Sequence, residues 1–249
     1  MLESERHQLI IDSLDNKQVV KLQELVDLTN ASESTIRRDL THLENKKHLK
    51  RIHGGAARLQ GKLQEASMTE KSSKNRHNKQ LIASYAVQLV KPGDSIFLDA
   101  GSTVYEMIDQ LPKDIVVVTN GLMHIQALLE HEIPTYITGG YAKSKTNALI
   151  GRGALESLHN YRFDKCFMGV NGIHPDSGLT TPDQEESQVK HLAMSLSREA
   201  YVLADESKFS EITFSKIANL DAATIITDQL ASETRSLYPD QIHIKAVMS

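Results

Sequence analysis

The chain has 249 residues, 40% of them hydrophobic, and a formal net charge of -4 at pH 7, which suits one large domain or a small one joined to a medium one. Aromatic residues make up 5% with no Trp, which argues against surfaces that work by stacking, and the single Cys166 excludes a disulfide framework and any cysteine-rich zinc site. "MLESERHQLI" has early acids and no long apolar region, and no run of about 18 apolar residues follows, so a soluble cytoplasmic protein without a membrane span is expected.

In "ERHQLIIDSL" the apolar Leu9, Ile10 and Leu14 share one helical face, so a first helix is expected over roughly 3–15. "VVKLQELVDLT" follows, with Leu22, Leu25 and Val26 at the spacing of a short second helix. Asn30 and Ser32 then interrupt the pattern, and Ser32 suits the N-cap of a third helix. That helix places Ile36, Leu40 and Leu43 on one side, leaving Ser34, Thr35, Arg37, Arg38 and His42 to face outward. Two short helices, a tight turn and a third helix with a basic outer face form a helix-turn-helix. "LKRIHGGAARL" reads as two strands, Leu49 to His53 and Ala56 to Leu59, around Gly54-Gly55. This hairpin is a wing that offers Lys50, Arg51, His53 and Arg58 to phosphates. The basic side chains are concentrated here. Residues 30–60 carry seven Lys/Arg and three acids, a balance of +4; residues 81–249 carry 13 and 21, a balance of -8. A basic head on an acidic body points to a polyanion partner, double-stranded DNA whose major groove admits one helix.

"ASESTIRRDLTHLENKKHLKRIHGGAA" resembles the N-terminal signature of DeoR-family transcription regulators. The resemblance implies a winged helix-turn-helix over residues 3–58. One departure is Lys47, where the family usually carries Gly at the helix exit.

Residues 59–79 are polar without apolar periodicity and read as a linker. From Gln80 a helix is expected through Ile82, Ala83, Ala86, Leu89 and Val90, stopped by Pro92-Gly93. Short apolar strands then alternate with helices: "SIFLD" before "AGST" and a helix through Leu111, "IVVVT" before "NGL", "PTYIT" before "GG", "KCFMGV" before "NGI", "AYVLAD" and "ATIIT". This alternation implies an α/β domain over 80–249 with a mostly parallel sheet covered on both faces. Ligands of such sheets bind beyond the carboxyl ends of the strands. There lie Asp99, Gly101, Ser102 and Thr103; Thr119, Asn120 and Gly121; Gly139 and Gly140; Asn171 and Gly172. Glycine amides and hydroxyls suit a small anion, and Lys190 and Lys208 add full charges.

"DAGST", "TNG", "GVNGI", "GLTTPDQEE" and "DESKF" are similar to the DeoR-family sensor domain, itself related to sugar-phosphate isomerases. The resemblance implies a sugar-phosphate effector that releases DNA, with Ser102, Thr103 and Lys208 at the phosphate and Asn120, Asn171 and Glu185 at the sugar hydroxyls. Within the family, "SSKN", "VVVTNGLMHI" and "YRFDKCFMGVNGIH" are most similar to repressors of fructose operons, which implies fructose 1-phosphate. The alternative is an isomerase-like enzyme with an accessory DNA-binding head. Its relatives carry "DGAD" where this chain has "MGVN", and neither Met168 nor Asn171 can serve as acid or base. No enzyme activity, cofactor or metal is therefore expected; the histidines, among them His124, His131 and His174, show no metal spacing. A homo-oligomer is expected, because one winged head buries too little surface for tight selective binding.

Overall fold

The computed structural model describes residues 1–249 except 18, 47, 53, 59, 60, 62 and 249, and only the backbone at 15, 16, 19, 52, 57 and 58. The chain divides into two compact units, Met1–Gly61 and Lys62–Ser249.

The first unit runs α1 (Glu3–Lys17), β1 (Val19–Lys21), α2 (Leu22–Thr29), α3 (Glu33–Asn45), β2 (Leu49–Ile52) and β3 (Gly55–Arg58). Its core is a single cluster in which Ile10 and Leu14 of α1, Leu25 of α2 and Ile36, Leu40 and Leu43 of α3 are at most 2% exposed. The turn between α2 and α3 works as its residues suggest. Asn30 ends α2 in the left-handed region at φ 52°, and the Ser32 hydroxyl accepts the Thr35 N–H to cap α3. The wing has one strand more than expected. Its sheet order is β1-β3-β2, with Val20 paired to Ala56. A strand of three residues running straight into a helix leaves little periodic signal. Its pairing does leave one trace: a Cβ on Gly55 would sit 2.2 Å from the Val20 carbonyl oxygen, so only glycine fits. Lys47 lies outside the described residues.

The second unit opens with α4 (Met68–Ser73) and α5 (Arg76–Val87), then β4 (Ser95–Leu98), α6 (Ser102–Tyr105), β5 (Val116–Thr119), α7 (Leu122–Glu130) and β6 (Thr135–Ile137). A hairpin of β7 (Tyr141–Lys143) and β8 (Ala148–Ile150) leads to α8 (Arg152–Leu158), β9 (Phe163–Gly169), β10 (Gly172–His174) and β11 (Gly178–Thr181). The remainder is α9 (Gln184–Ser195), β12 (Ser197–Leu203), β13 (Ser215–Ala218), β14 (Thr224–Thr227), α10 (Ser232–Arg235) and β15 (Ile244–Ala246). The main sheet has seven strands in the order β15-β14-β12-β9-β4-β5-β6, and every pairing in it is parallel. Strand alternation divides the apolar residues between two cores. Phe97, Cys166, Met168 and Val202 enter one, and Ile96, Leu98, Phe167 and Leu203 enter the other. Among the described residues no helix is long and apolar enough to cross a membrane.

Two expectations need correcting. The stretch read as a linker holds α4, fixed by a capping box in which Ser67 and Glu70 bond each other's backbone N–H, with Met68 only 3% exposed; α5 also begins at Arg76, ahead of Gln80. A helix of six residues is too short to show periodicity. The helix after "AGST" is only Ser102–Tyr105, followed by a 3-10 turn at Ile108–Gln110. The small antiparallel sheet β10-β11-β13 went unforeseen because its strands are three or four residues long.

Candidate functional site

On α3 the outward side chains Ser34, Arg37, Arg38 and His42 are exposed, and Thr35 is half-buried. The Ser32 hydroxyl lies 3.0 Å from that of Ser34 and 2.8 Å from that of Thr35, so one small network presents three hydroxyls beside the helix N-terminus. Arg37 is not idle: its Nε and Nη2 donate to Glu33 Oε1 at 3.0 and 2.5 Å. Arg38 has no hydrogen bond or ion pair among the described residues and lines a shallow cleft with Glu3, Thr35, Thr41 and His42. The wing is fastened to α3. Arg51 donates from Nη1 to Thr41 Oγ1 at 2.8 Å and from its backbone N–H to Glu44 Oε1 at 2.7 Å. Lys50 is half-buried, His53 lies outside the described residues, and only the backbone of Arg58 is described.

Asp39 is the residue of this helix that the sequence hid. Its side chain is 6% exposed and takes Arg6 Nε at 2.5 Å and Nη2 at 3.0 Å, with His7 Nε2 3.1 Å away. Burial raises its pKa, but the hydrogen bonds and charges of Arg6 and His7 outweigh that and hold the carboxyl below its ordinary value. The pair locks α1 against α3. Close by, donor atoms of Glu3, His7 and His42 lie within 4.8 Å of one another; the sequence showed no such grouping because His7 and His42 stand on different helices.

In the second unit the parallel sheet brings the selected loops to one edge, but they serve different ends. Thr119 is fully buried; its hydroxyl donates to Leu98 O at 2.7 Å and accepts the Gly121 N–H at 3.0 Å. Asn120, 2% exposed, joins three segments by accepting the Ala100 N–H at 3.0 Å and donating to Leu149 O at 3.3 Å. Gly139 and Gly140 are exposed and form a backbone joint with β8 and α8: a Cβ on Gly140 would sit 2.3 Å from Ile150 O and 2.9 Å from Ala154 N. A Cβ on Gly172 would lie 2.5 Å from Glu211 O. These positions shape the loops. Gly101 caps α6 and borders Gly169; Ser102 and Thr103 are 8% and 7% exposed. A four-residue helix contributes little dipole, so hydroxyls and N–H groups carry any anion affinity there. Asn171 is half-buried and accepts Thr181 Oγ1 at 3.1 Å. Glu185 is exposed, whereas its neighbour Glu186 is 6% exposed and ion-paired. Lys190 is committed to Asp99, Nζ to Oδ2 at 2.6 Å, and the same oxygen accepts the Gly169 N–H at 3.0 Å.

Lys208 differs. It is half-buried, and its ammonium has no hydrogen bond or ion pair among the described residues. Burial first, then the charges of Lys71 and Lys74, lower its pKa against the pull of Asp205 and Glu211. Lys79 behaves the same way. It is 5% exposed, its ammonium donates to the Lys71 carbonyl, and no carboxylate pairs with it among the described residues. Burial, Lys208 and Lys71 lower its pKa while Asp205 and Glu106 oppose. Lys79 and Lys208 thus share the field of Asp205, which is itself 3% exposed and bonded to Ser207, and both feel the charge of Lys71, whose ammonium is paired with Glu65 at 3.0 Å. Lys71 and Lys79 were missed because they stand in the polar stretch 59–79, where charges looked like solvated linker. An uncompensated cation near a low-dielectric interior is costly, and an anionic ligand would relieve that cost.

His124 packs under the same loops. It is fully buried; Nδ1 lies 3.2 Å from Thr119 Oγ1, and Nε2 has no hydrogen-bond partner among the described residues. Thr119 gives its proton to Leu98, so it accepts from His124, which fixes the neutral Nδ1–H tautomer. Burial lowers its pKa to about 4, with Asp99 opposing. The folded pKa lies below the unfolded one, so stability is intact near neutrality and falls as pH drops from about 6.5 towards 4. We expect the wild type to lose about 2–3 kcal/mol more than His124→Leu between pH 7 and 4.5 in urea unfolding; equal losses would assign the acid sensitivity elsewhere.

Comparison with known proteins gives a consistent set. A model of the DeoR-like helix-turn-helix domain matches residues 6–62, and a model of the DeoR C-terminal sensor domain matches residues 74–229. The chain is 53% identical to a Bacillus subtilis protein named "Uncharacterized HTH-type transcriptional regulator FruR", covering 99% of each. It is 33% identical to the HTH-type transcriptional regulator GlpR of Haloferax volcanii, over 92% of this chain and 91% of that one, and 32% identical to a putative aga operon transcriptional repressor of Escherichia coli O157:H7, over 90% and 85%. Among solved structures, a ribose 5-phosphate isomerase of Methanocaldococcus jannaschii is 22% identical over 55% of each chain, with a TM-score of 0.40.

Proposed function

Because the chain belongs to the DeoR family of transcription regulators, we propose that it represses a sugar-utilisation operon, that of fructose, and that fructose 1-phosphate releases it from its operator. The chain is a regulator and not an enzyme: at the sheet edge Met168 is 1% exposed in the core, the Asn171 amide cannot titrate, and Lys190 is tied to Asp99. The fructose assignment is supported by the relative sharing 53% identity. The anionic effector is supported by one observation above others, the buried Lys79 and half-buried Lys208 without carboxylate partners. The phosphate sits among Lys71, Lys79 and Lys208, with Ser102 and Thr103 donating. Asn171 and Glu185 face the sugar. Asn120, whose oxygen and nitrogen are both engaged, keeps the loops in register instead.

On DNA, Arg37 reads a base and Arg51 holds the backbone. Arg37→Ala is expected to relax base preference and cost about 1–3 kcal/mol if it contacts guanine, less the weak exposed pair with Glu33 that it must give up, about 0.5 kcal/mol. Arg51→Ala weakens all sequences alike and flattens the salt dependence. An unchanged ratio of specific to non-specific affinity in Arg37→Ala would remove it from base reading. The overall test is a gel-shift titration of the full chain on a duplex selected in vitro for binding, against a panel of phosphorylated sugars. Release by fructose 1-phosphate at the lowest concentration supports the assignment; release by none of the panel overturns the sensor reading.

A further inference from the structure

Lys143 ends the short strand β7, with its side chain 17% exposed. Its ammonium donates to three carboxylates at once: Glu65 Oε2 at 2.6 Å, Asp183 Oδ2 at 2.9 Å and Glu186 Oε1 at 2.9 Å. Glu65 takes a second cation, Lys71 Nζ, at 3.0 Å. Glu186 also accepts Thr146 Oγ1 at 2.7 Å, and Asp183 caps α9 by accepting the Glu186 N–H at 3.0 Å. The cluster is largely closed to water, Glu65 being 8% and Glu186 6% exposed. Burial raises the pKa of Glu65, but Lys71 and Lys143 outweigh it and keep the carboxyl below its ordinary value.

Among the described residues three negative charges therefore share two positive ones, and the balance is asymmetric. Asp183 caps α9 and Glu186 lies in its first turn, and the same helix carries Lys190 to Asp99 at the sheet edge. Glu65 belongs to the chain that has just left the first unit, which ends at Gly61. Its two cations differ as well. Lys143 is fixed in a hairpin, whereas Lys71 stands on α4, beside the lysines that carry the effector's phosphate in the function proposed above. A phosphate that draws Lys71 to itself leaves three carboxylates on one ammonium. Like charges in a poorly solvated site repel strongly, and Glu65 is the one on a segment able to leave. After it the next anchor of the chain is Met68, whose N–H bonds Lys145 O at 2.9 Å. Release moves the anchor from Glu65 to Met68, three residues further along the chain, a gain in reach of roughly 10 Å at full extension.

We propose that Lys143 is a positioning residue for the regulatory response: it pins Glu65 in the DNA-competent state, and the effector's anion unpins it by competing for Lys71. The coupling rests on the proposed effector site and is reciprocal by linkage. Whatever opens the Glu65 contact must weaken DNA binding and tighten effector binding, and in any one variant each ligand lowers the other's affinity by a common factor.

The decisive variant is Glu65→Gln in the full chain, which preserves volume and leaves Lys143 paired with Asp183 and Glu186. Fructose 1-phosphate is titrated calorimetrically without DNA, and operator affinity is measured by gel shift with and without the sugar. The expected result is a ligand-free operator affinity at least threefold weaker than wild type, a fructose 1-phosphate affinity at least threefold tighter, and a release ratio close to one. A merely structural Glu65 would leave effector affinity unchanged or weaken it. Lys143→Met should behave like Glu65→Gln, with Lys143→Arg restoring part of the wild-type ratio. Wild-type release together with unchanged or weaker sugar binding in Glu65→Gln overturns the role of the cluster alone. Failure of the sugar to release the wild type overturns the cluster and the effector assignment together.

Discussion

Lys79→Met is expected to fold, to bind operator DNA as wild type does, and to need about ten- to a hundredfold more sugar phosphate for release. The two halves of this result have separate causes. Lys79 is 5% exposed and its ammonium rests on the Lys71 carbonyl without a carboxylate. Methionine has nearly the same length and no charge, so the substitution removes a desolvation cost and fills the same space. Stability should hold or rise. The effector loses a charge-assisted hydrogen bond, about 1.5–3 kcal/mol, which is the stated range of concentration. Thermal unfolding and gel-shift titration read the two halves independently. Release at the wild-type concentration would take Lys79 out of the site, and a large fall in Tm would make it a structural cation.

Asp99→Asn has the opposite profile, a loss of stability. Asp99 is 1% exposed and Lys190 6%, and one oxygen of Asp99 serves both Lys190 Nζ and the Gly169 N–H. Asparagine keeps the shape but leaves a buried ammonium without its counter-charge. Breaking a buried pair in this way costs about 3–5 kcal/mol, or roughly 10 °C in Tm for a unit of this size. Adding Lys190→Met removes the orphaned charge, and the double variant should regain at least half of the loss. Urea unfolding of the two singles and the double settles it. A Lys190→Met change that adds its own cost to that of Asp99→Asn would show that the pair is not the source.

How much of this was legible in the sequence depends on the range of each interaction. Ile36, Leu40 and Leu43 announce α3 because the helical period lies within one short segment, and Ser32 announces its cap because the bond spans three residues. The parallel sheet follows from apolar strands alternating with helices. It also explains why the loops after β4, β5, β6 and β9 share one edge. What those loops do was not legible. Thr119, Asn120, Gly140 and Gly172 are the residue types a phosphate site would use, and equally those that tight backbone joints need; only the engaged hydroxyl of Thr119 and the crowded Cβ positions of the glycines separate the two. Asp39 looked like one acid among bases because its partner Arg6 is 33 positions away. Glu65, Lys71 and Lys79 fall in the polar stretch that reads as a linker, since a charge buried by distant chain leaves no local pattern.

The contact between Arg37 and Glu33 bears on the approach to DNA proposed above. Before contact Arg37 is held along its own helix by a carboxylate one turn away, while Arg38 is exposed and unengaged. An incoming phosphate therefore meets Arg38 first, at a rate set by the long-range field and lowered by salt. Arg37 commits only when something in the groove replaces Glu33. With the base-reading role proposed for Arg37, Arg38→Ala is expected to slow association with the operator duplex and Arg37→Ala to speed dissociation from it, both read by stopped-flow binding.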